Sequence, residues 1–120
     1  MSQWATYYCK IKNPDSTTLD QAIDILTSVL NGQISERLAH DTTIKLPEMD
    51  YPIHIGIRGK STIYVESNKY CDREKLKNLT QQVQQLYFVI AHKAAMEAMG
   101  YQVNINQNEA GDFIVQGVTA

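Results

Sequence analysis

The sequence predicts a single α+β domain, with two helices packed on one face of a mainly antiparallel sheet. Two segments have helical spacing of apolar residues, at 17–30 and 72–99, and short segments of alternating polarity lie around them. Neither a Pro/Gly/Ser-rich linker nor an internal repeat divides the 120 residues. We therefore predict one domain spanning 1-120, with a ferredoxin-like arrangement as the candidate topology.

The first third of the chain predicts a strand followed by a helix. Residues 4–12 mix aromatic and β-branched residues and stop at the turn signal Asn13-Pro14. Thr17 and Asp20 resemble a capping box at the helix start, and Asn31-Gly32 supplies its end. The next residues, 33–50, are ambiguous, because a short helical turn near 34–38 and a strand at 42–46 both fit them.

The remaining elements are a hairpin, a long helix and a second hairpin. Isoleucine alternates with other residues over 53–57, and 62–66 continues as the return strand. The second helix spans 72–99, about 42 Å at ~1.5 Å per residue, which is longer than one small domain needs. It therefore either bends or extends onto a partner. Alternating residues at 101–105 and a return strand at 113–115 close the order β-α-β-β-α-β-β, to which 42–46 can add a strand.

Composition excludes several classes of protein. The 11 basic and 13 acidic residues give a net charge of −2, which does not favour wholesale attraction to nucleic acid. No apolar run approaches a membrane span, and the first residues lack the pattern of a signal peptide, so we predict a cytoplasmic protein with no membrane contact. Cys9 and Cys71 stand alone, without Cys or His neighbours at metal-ligand spacing, and are interpreted as reduced thiols with Cys9 buried in a strand. No metal and no cofactor is predicted.

Four short segments of the chain form a recognisable set: Met1-Ser2-x-Trp4, Ile11-Lys12-Asn13, Leu79-Thr80-Gln81 with Tyr87, and Gly100-Tyr101-x-Val103. Together they resemble a small uncharacterised protein family of cyanobacteria, plastid genomes and other bacteria. Family members typically open Met-Ser-His-Phe, so Gln3 replaces a histidine here, and 33–52 has no counterpart. The resemblance implies a soluble bacterial-type protein that works beside other proteins, and it carries over no catalytic residue.

Basic and aromatic side chains alternate along the predicted strands in a way that favours one exposed sheet face. If Ile53, Ile55 and Ile57 face the helices, the intervening residues face away from them. The residues assigned to this surface are Tyr8, Lys10, His54, Arg58, Lys60 and Tyr64. Stacking rings beside cations are typical of surfaces that bind single-stranded RNA or a phosphorylated ligand, and a half-exposed sheet shows the same residues for solubility alone.

A second candidate surface lies on the long helix. Tyr87, His92, Met96 and Met99 are predicted to project beyond its apolar stripe, where aromatic and methionine side chains are typical of partner contacts. Such residues at helical spacing also occur in cores. The unknown protein partner in this reading includes a second copy of the chain, as in a homodimer.

Three functions remain open, in descending order of support. The first is a non-enzymatic protein-binding or assembly subunit that uses the second helix and the open sheet. The second is an anion-binding sheet face. The third is a small metal-free nuclease or isomerase centred on His54, for which the sequence reveals no second titrating group beyond the distant Glu66 and His92. An enzyme is therefore the less favoured reading.

Overall fold

The computed structural model describes residues 3–119 and places them in seven strands and two helices. In chain order they are β1 (Trp4–Lys10), α1 (Ser16–Val29), β2 (Gln33–Arg37), β3 (Asp41–Lys45), β4 (Ile53–Arg58), β5 (Thr62–Asn68), α2 (Arg73–Ala98), β6 (Tyr101–Gln107) and β7 (Phe113–Thr119). Met1 and Ser2, which open the family resemblance, lie outside the described residues. The α+β class predicted from the sequence is confirmed.

The first five strands form one antiparallel sheet in the order β1-β5-β4-β3-β2. The chain crosses from β1 at one edge to β2 at the other through α1, then returns strand by strand until β5 pairs with β1. A ferredoxin-like βαββαβ fold would instead interleave its strands, so the predicted topology is wrong while its class is right. The reason is that 33–45 forms two strands, which lengthen the meander.

One face of this sheet packs on the helices and holds the core. Fully buried isoleucines alternate along the strands, including Ile44, Ile53, Ile55 and Ile63. They meet the apolar stripes of both helices, of which the buried members are Leu19, Ala22, Ile23 and Leu26 in α1 and Leu76, Leu79, Val83, Leu86 and Ile90 in α2. The strand set and the helix stripes that periodicity predicted therefore face one another.

Local signals set the ends of α1 at positions close to those predicted. The capping residue is Asp15, whose carboxylate accepts from the Thr18 amide at 2.9 Å, rather than Thr17. At the other end Asn31 has a left-handed φ of 56°, a conformation that asparagine tolerates better than most residues. The helix thus ends where Asn31-Gly32 predicted.

The segment 33–50 extends the sheet and leaves the opposite face uncovered. The strand predicted at 42–46 is confirmed as β3, whereas the helical turn considered for 34–38 is wrong, because those residues form the edge strand β2. A register shift between Ile34 and Glu36 turns Arg37 to the helix side. There its guanidinium lies 2.9 Å from Asp24 of α1, which joins the edge strand to that helix.

The end of α2 leaves this sheet and packs against a separate two-stranded ribbon formed by β6 and β7. We call residues 3–90 the body and residues 91–119 the arm. No side chain of α2 after Ile90 is buried. Of the two alternatives that its predicted length left open, the helix therefore extends beyond the body, and the ribbon folds back along it to reach the core through the buried Phe113.

Candidate binding surfaces

The open face, the side of the five-stranded sheet that faces away from the helices, carries most of the predicted site residues. The register places Tyr8 opposite Tyr64, Tyr64 opposite Gly56, and Gly56 opposite Asp41. Lys10, Thr62 and Arg58 form the next row on the same face. Lys60 lies beyond the strands, in the exposed turn between β4 and β5. The structure thus brings together the predicted residues, with Lys60 at their margin.

Arg58 is held in place by its neighbours on this face. Its Nη1 donates to the Tyr8 hydroxyl at 3.0 Å, and its Cζ lies 4.4 Å from the centroid of the Tyr64 ring. The carboxylate of Glu66 lies 3.9 Å from its Nη2. The side chain remains 53% exposed, so these contacts orient a guanidinium that still meets solvent.

Tyr64 was predicted to display a stacking ring, and this is wrong, because the residue is only 7% exposed. Gly56 has no side chain, and a Cβ there would lie 2.6 Å from the Tyr64 hydroxyl, so the phenol fills the space above that glycine. Its hydroxyl donates to Asp41. Burial, that hydrogen bond and the nearby carboxylates raise the pKa of Tyr64, while Arg58 acts in the opposite direction.

His54 faces a carboxylate that the sequence did not reveal as its neighbour. Its Nδ1 lies 2.9 Å from the Thr43 hydroxyl and 3.5 Å from Asp41 Oδ1. The indole of Trp4 meets its ring edge-on at 5.5 Å. The predicted candidate Glu66 is its direct cross-strand partner, but that carboxylate accepts from the Thr6 hydroxyl at 2.9 Å. Asp41 could not be placed in advance because 33–50 was ambiguous.

The charges of the open face balance locally. The basic strand residues on it are Lys10, Lys45 and Arg58, and the acidic ones are Glu36, Asp41 and Glu66. A phosphate approaching Arg58 therefore also approaches Glu66. Because polyanion binding depends on uncompensated positive charge, this arrangement is poorly suited to it.

The four residues predicted to project from α2 separate into two environments. Tyr87 is buried in the core and its hydroxyl accepts from the Asp15 amide at 2.8 Å, so its predicted surface position is wrong. Met96 packs under the ribbon, where a Cβ at Gly117 would collide with its methyl group. His92 and Met99 are exposed, Met99 to 69%. Periodicity alone could not distinguish these cases, because the ribbon that covers Met96 comes from later in the chain.

The arm exposes four large apolar side chains. They are Met99, Tyr101, Ile114 and Val118, which we call the arm surface. The strand register puts Tyr101 on the side of the ribbon that faces α2, and Ile114 and Val118 on the opposite side. Of the 24 charged residues of the chain, the arm holds Lys93, Glu97, Glu109 and Asp112. Lys93 and Glu97 pair with each other at 3.3 Å, and the other two lie between the ribbon strands. The arm surface is therefore both apolar and poor in charge.

A cavity of about 330 Å³ lies on the helix side of the body. It opens between the end of α1, the connection after β3 and the start of α2, with Leu30, Leu46 and Leu79 among its lining residues. Lys75 lies at this cavity and donates to the carbonyl of Glu48 at 3.2 Å. Sequence patterns gave no sign of it, because its walls come from three distant segments.

Neither cysteine forms a disulfide, and no metal centre is evident among residues 3–119. The Cys9 thiol is buried, as predicted, and lies 3.7 Å from the Thr80 carbonyl, which it faces across the core. Burial raises the pKa of the Cys9 thiol to about 11. In the same residues no three His, Cys, Asp or Glu side chains converge on a point that could hold a metal ion. Neither helix there has the length and hydropathy to cross a membrane.

Comparison with known proteins adds no relative: no protein-family model matches the chain, and neither does any curated protein or solved structure.

Proposed function

We propose that this chain is a non-enzymatic assembly subunit of the cytoplasm that binds another polypeptide through the arm surface. The observation that carries this proposal is the exposure of Met99, Tyr101 and Val118 on an arm that holds only four of the 24 charged residues of the chain. Exposed apolar patches of this kind are typical of protein contacts. The family resemblance supports the same role, since it implies a protein that works beside others.

The structure of α2 gives a physical reason for such a partner. The helix is stabilised in the body by a buried stripe that ends at Ile90, yet it continues to Ala98. Beyond Ile90 the ribbon covers only the side of the helix that carries Met96. Most helical stability in proteins comes from packing of an apolar face, so a second polypeptide on the arm would supply what the body no longer provides.

An anion-binding open face is the second candidate function. The exposure of the Tyr8 ring and of Arg58 supports it. Against it, Glu66 and Asp41 share the surface, and the phenol of Tyr64 fills the space over Gly56, so that a ligand has no room against the backbone there. The charged and hydroxyl groups of the open face are therefore paired with one another, which favours the arm as the binding surface.

An enzyme centred on His54 has the weakest support. Asp41 could orient the imidazole, as a general base requires. However, His92 lies in the arm, on the part of α2 that extends beyond the body, and Glu66 is engaged by Thr6 and Arg58. The cavity described above lies on the helix side, away from His54.

Site-specific photocrosslinking in cells that produce the protein tests the proposal. A benzophenone amino acid would replace Tyr101 in the arm and, as a matched control, the exposed Tyr70 in the body. We expect a discrete crosslinked polypeptide, either another protein or the chain itself, with the Tyr101 variant and none with the Tyr70 variant. Absence of any adduct at Tyr101, or equal adducts at both positions, would refute the arm as a docking surface.

A further inference from the structure

The ribbon of the arm has unpaired strand edges. β6 and β7 pair with each other over seven residue pairs, and within residues 3–119 no third strand joins them. A two-stranded ribbon is marginally stable by itself, and its outer edges present unpaired N–H and C=O groups. Proteins usually protect such edges with charged residues or proline, and neither strand contains one. The ribbon therefore has the properties of a sheet that is completed by another strand.

The side chains distinguish the two edges. The residues of β6 that face away from α2 are Gln102, Asn104 and Asn106, which water solvates well. Their cross-strand partners on β7 are Val118, Gln116 and Ile114. Two of these three are β-branched and apolar, with Val118 58% exposed. On the face of the ribbon away from α2, the uncovered apolar side chains therefore belong to β7.

The sequence of β7 is symmetric about its central residue. The strand runs from Phe113 to Thr119, so Gln116 is its midpoint. If two copies paired in antiparallel fashion about a two-fold axis at Gln116, Ile114 of one copy would lie opposite Val118 of the other, twice. Cross-strand pairs of β-branched residues stabilise antiparallel sheets, and these would cover the two exposed apolar residues of the strand.

Charge and hydrogen bonding also fit self-association. A two-fold contact sets each group against its own copy, so any charge at the axis would meet an equal charge. β7 has none, and Gln116 carries an amide, which both donates and accepts and can therefore bond to its own copy. The amide is already oriented by Asn106 of β6, whose Nδ2 donates to Gln116 Oε1 at 3.4 Å.

We propose that the polypeptide bound by the arm is a second copy of this chain, paired through the outer edge of β7 about a two-fold axis at Gln116. The two ribbons then form one continuous antiparallel sheet of four strands, in the order β6-β7-β7-β6. Both edges of each β7 strand are then hydrogen-bonded to a neighbouring strand. This inference rests on the proposed function, because it names the polypeptide that the arm binds and the strand of the arm that binds it.

Sedimentation velocity over a wide range of concentrations tests the stoichiometry. We expect the purified protein to approach twice the 13.6 kDa of one chain as concentration rises. Val118→Lys should weaken association by at least about tenfold, since it places a charge opposite an apolar residue. Val29→Lys, at an exposed valine of the body, is the matched control and should leave association unchanged. A wild-type protein that stays monomeric, or equal weakening by both variants, would overturn the proposal.

Disulfide trapping tests the register. Gln116→Cys, in a Cys71→Ser background, should form a covalent dimer under mild oxidation, because a residue on the axis lies opposite itself at a Cα separation within the ~4.4–6.8 Å that a disulfide spans. Asn104→Cys, on the neighbouring strand, should not. Trapping by Asn104→Cys alone, or by neither variant, would refute the β7 contact. If Tyr101 photocrosslinks to a different protein in cells while these tests fail, the docking surface stands and the second copy is refuted.

Discussion

The body and the arm share one helix but stabilise it in different ways. Before Ile90, α2 buries a continuous stripe against α1, β1 and β5, and after Ile90 it has only the ribbon on one side. The body also satisfies its polar groups internally, as the contacts of Arg58, Tyr64 and Asp41 show. Both regions expose apolar side chains, but among the described residues the two strands of the arm pair only with each other, so both outer edges of that ribbon are unpaired. A helix can thus continue past the core that stabilises it. The part that continues is where we expect a partner to bind.

Truncation of one isoleucine in each region should give the largest difference between body and arm in the free energy of unfolding. Ile55→Ala removes a fully buried side chain between β3 and β5, and should lower the free energy of unfolding by about 3–5 kcal/mol. Ile105→Ala, in the arm, removes a partly buried one and should cost about 1 kcal/mol. Urea denaturation monitored by circular dichroism measures both. Equal costs would mean that the arm is packed as tightly as the body.

Substitution of one glycine by alanine in each region should give a smaller difference in the free energy of unfolding, again with the larger loss in the body. Gly56→Ala places a methyl group against the backbone carbonyl of His40 and the Tyr64 hydroxyl, neither of which can move without disturbing the sheet. We expect a loss of about 2–3 kcal/mol, typical of overpacking. Gly117→Ala meets the flexible end of Met96 and should cost below about 0.5 kcal/mol. Thermal unfolding of both variants measures these losses. A larger loss of stability in Gly117→Ala than in Gly56→Ala would contradict the expected order.

Alkaline pH should lower the free energy of unfolding through the buried thiol of Cys9. Because burial raises the pKa of this thiol from 9.0 to about 11, the unfolded chain loses its proton at lower pH than the folded one. The stabilisation is therefore complete below pH 9 and is lost as pH rises toward 11, by on the order of 2 kcal/mol. Unfolding free energies measured across this window should fall less steeply in Cys9→Ala.

The matched variant for this pH dependence is Cys71→Ala. Burial also raises the pKa of Cys71, but that residue is only partly buried, so its removal should leave most of the decline in place. The raised pKa of Tyr64 acts in the same direction at still higher pH. A decline that is unchanged in Cys9→Ala would show that other groups control the alkaline limit.

The smallest expected effect concerns the open face, which should not bind polyanions. Because Glu66 and Asp41 balance the cations there, labelled single-stranded RNA should give no salt-dependent rise in fluorescence anisotropy, even at low salt. Arg58→Glu and Lys60→Glu should then leave the signal unchanged. Tight binding that weakens with salt and disappears in these variants would transfer the function from the arm to the open face.

The sequence predicted much of the secondary structure because its signals are local. The alternation of Ile53, Ile55 and Ile57 identified the core face of β4, and the length of the second helix predicted that it would either bend or extend beyond one small domain. The same alternation placed Tyr8 and Arg58 on one face, since side chains of a strand point alternately to its two sides. Such periods are visible without knowledge of what packs against them.

Contacts between distant segments were decided only by the tertiary structure. The strand order depends on β2 and β3, whose ambiguous sequence concealed the meander and the position of Asp41 beside His54. Whether Tyr87 and Met96 are exposed depends on the segments that cover them, Asp15 for one and Gly117 for the other. Periodicity determines which side of an element is apolar, whereas burial depends on which later or earlier segment closes over that side. That choice is made by the packing of the whole chain.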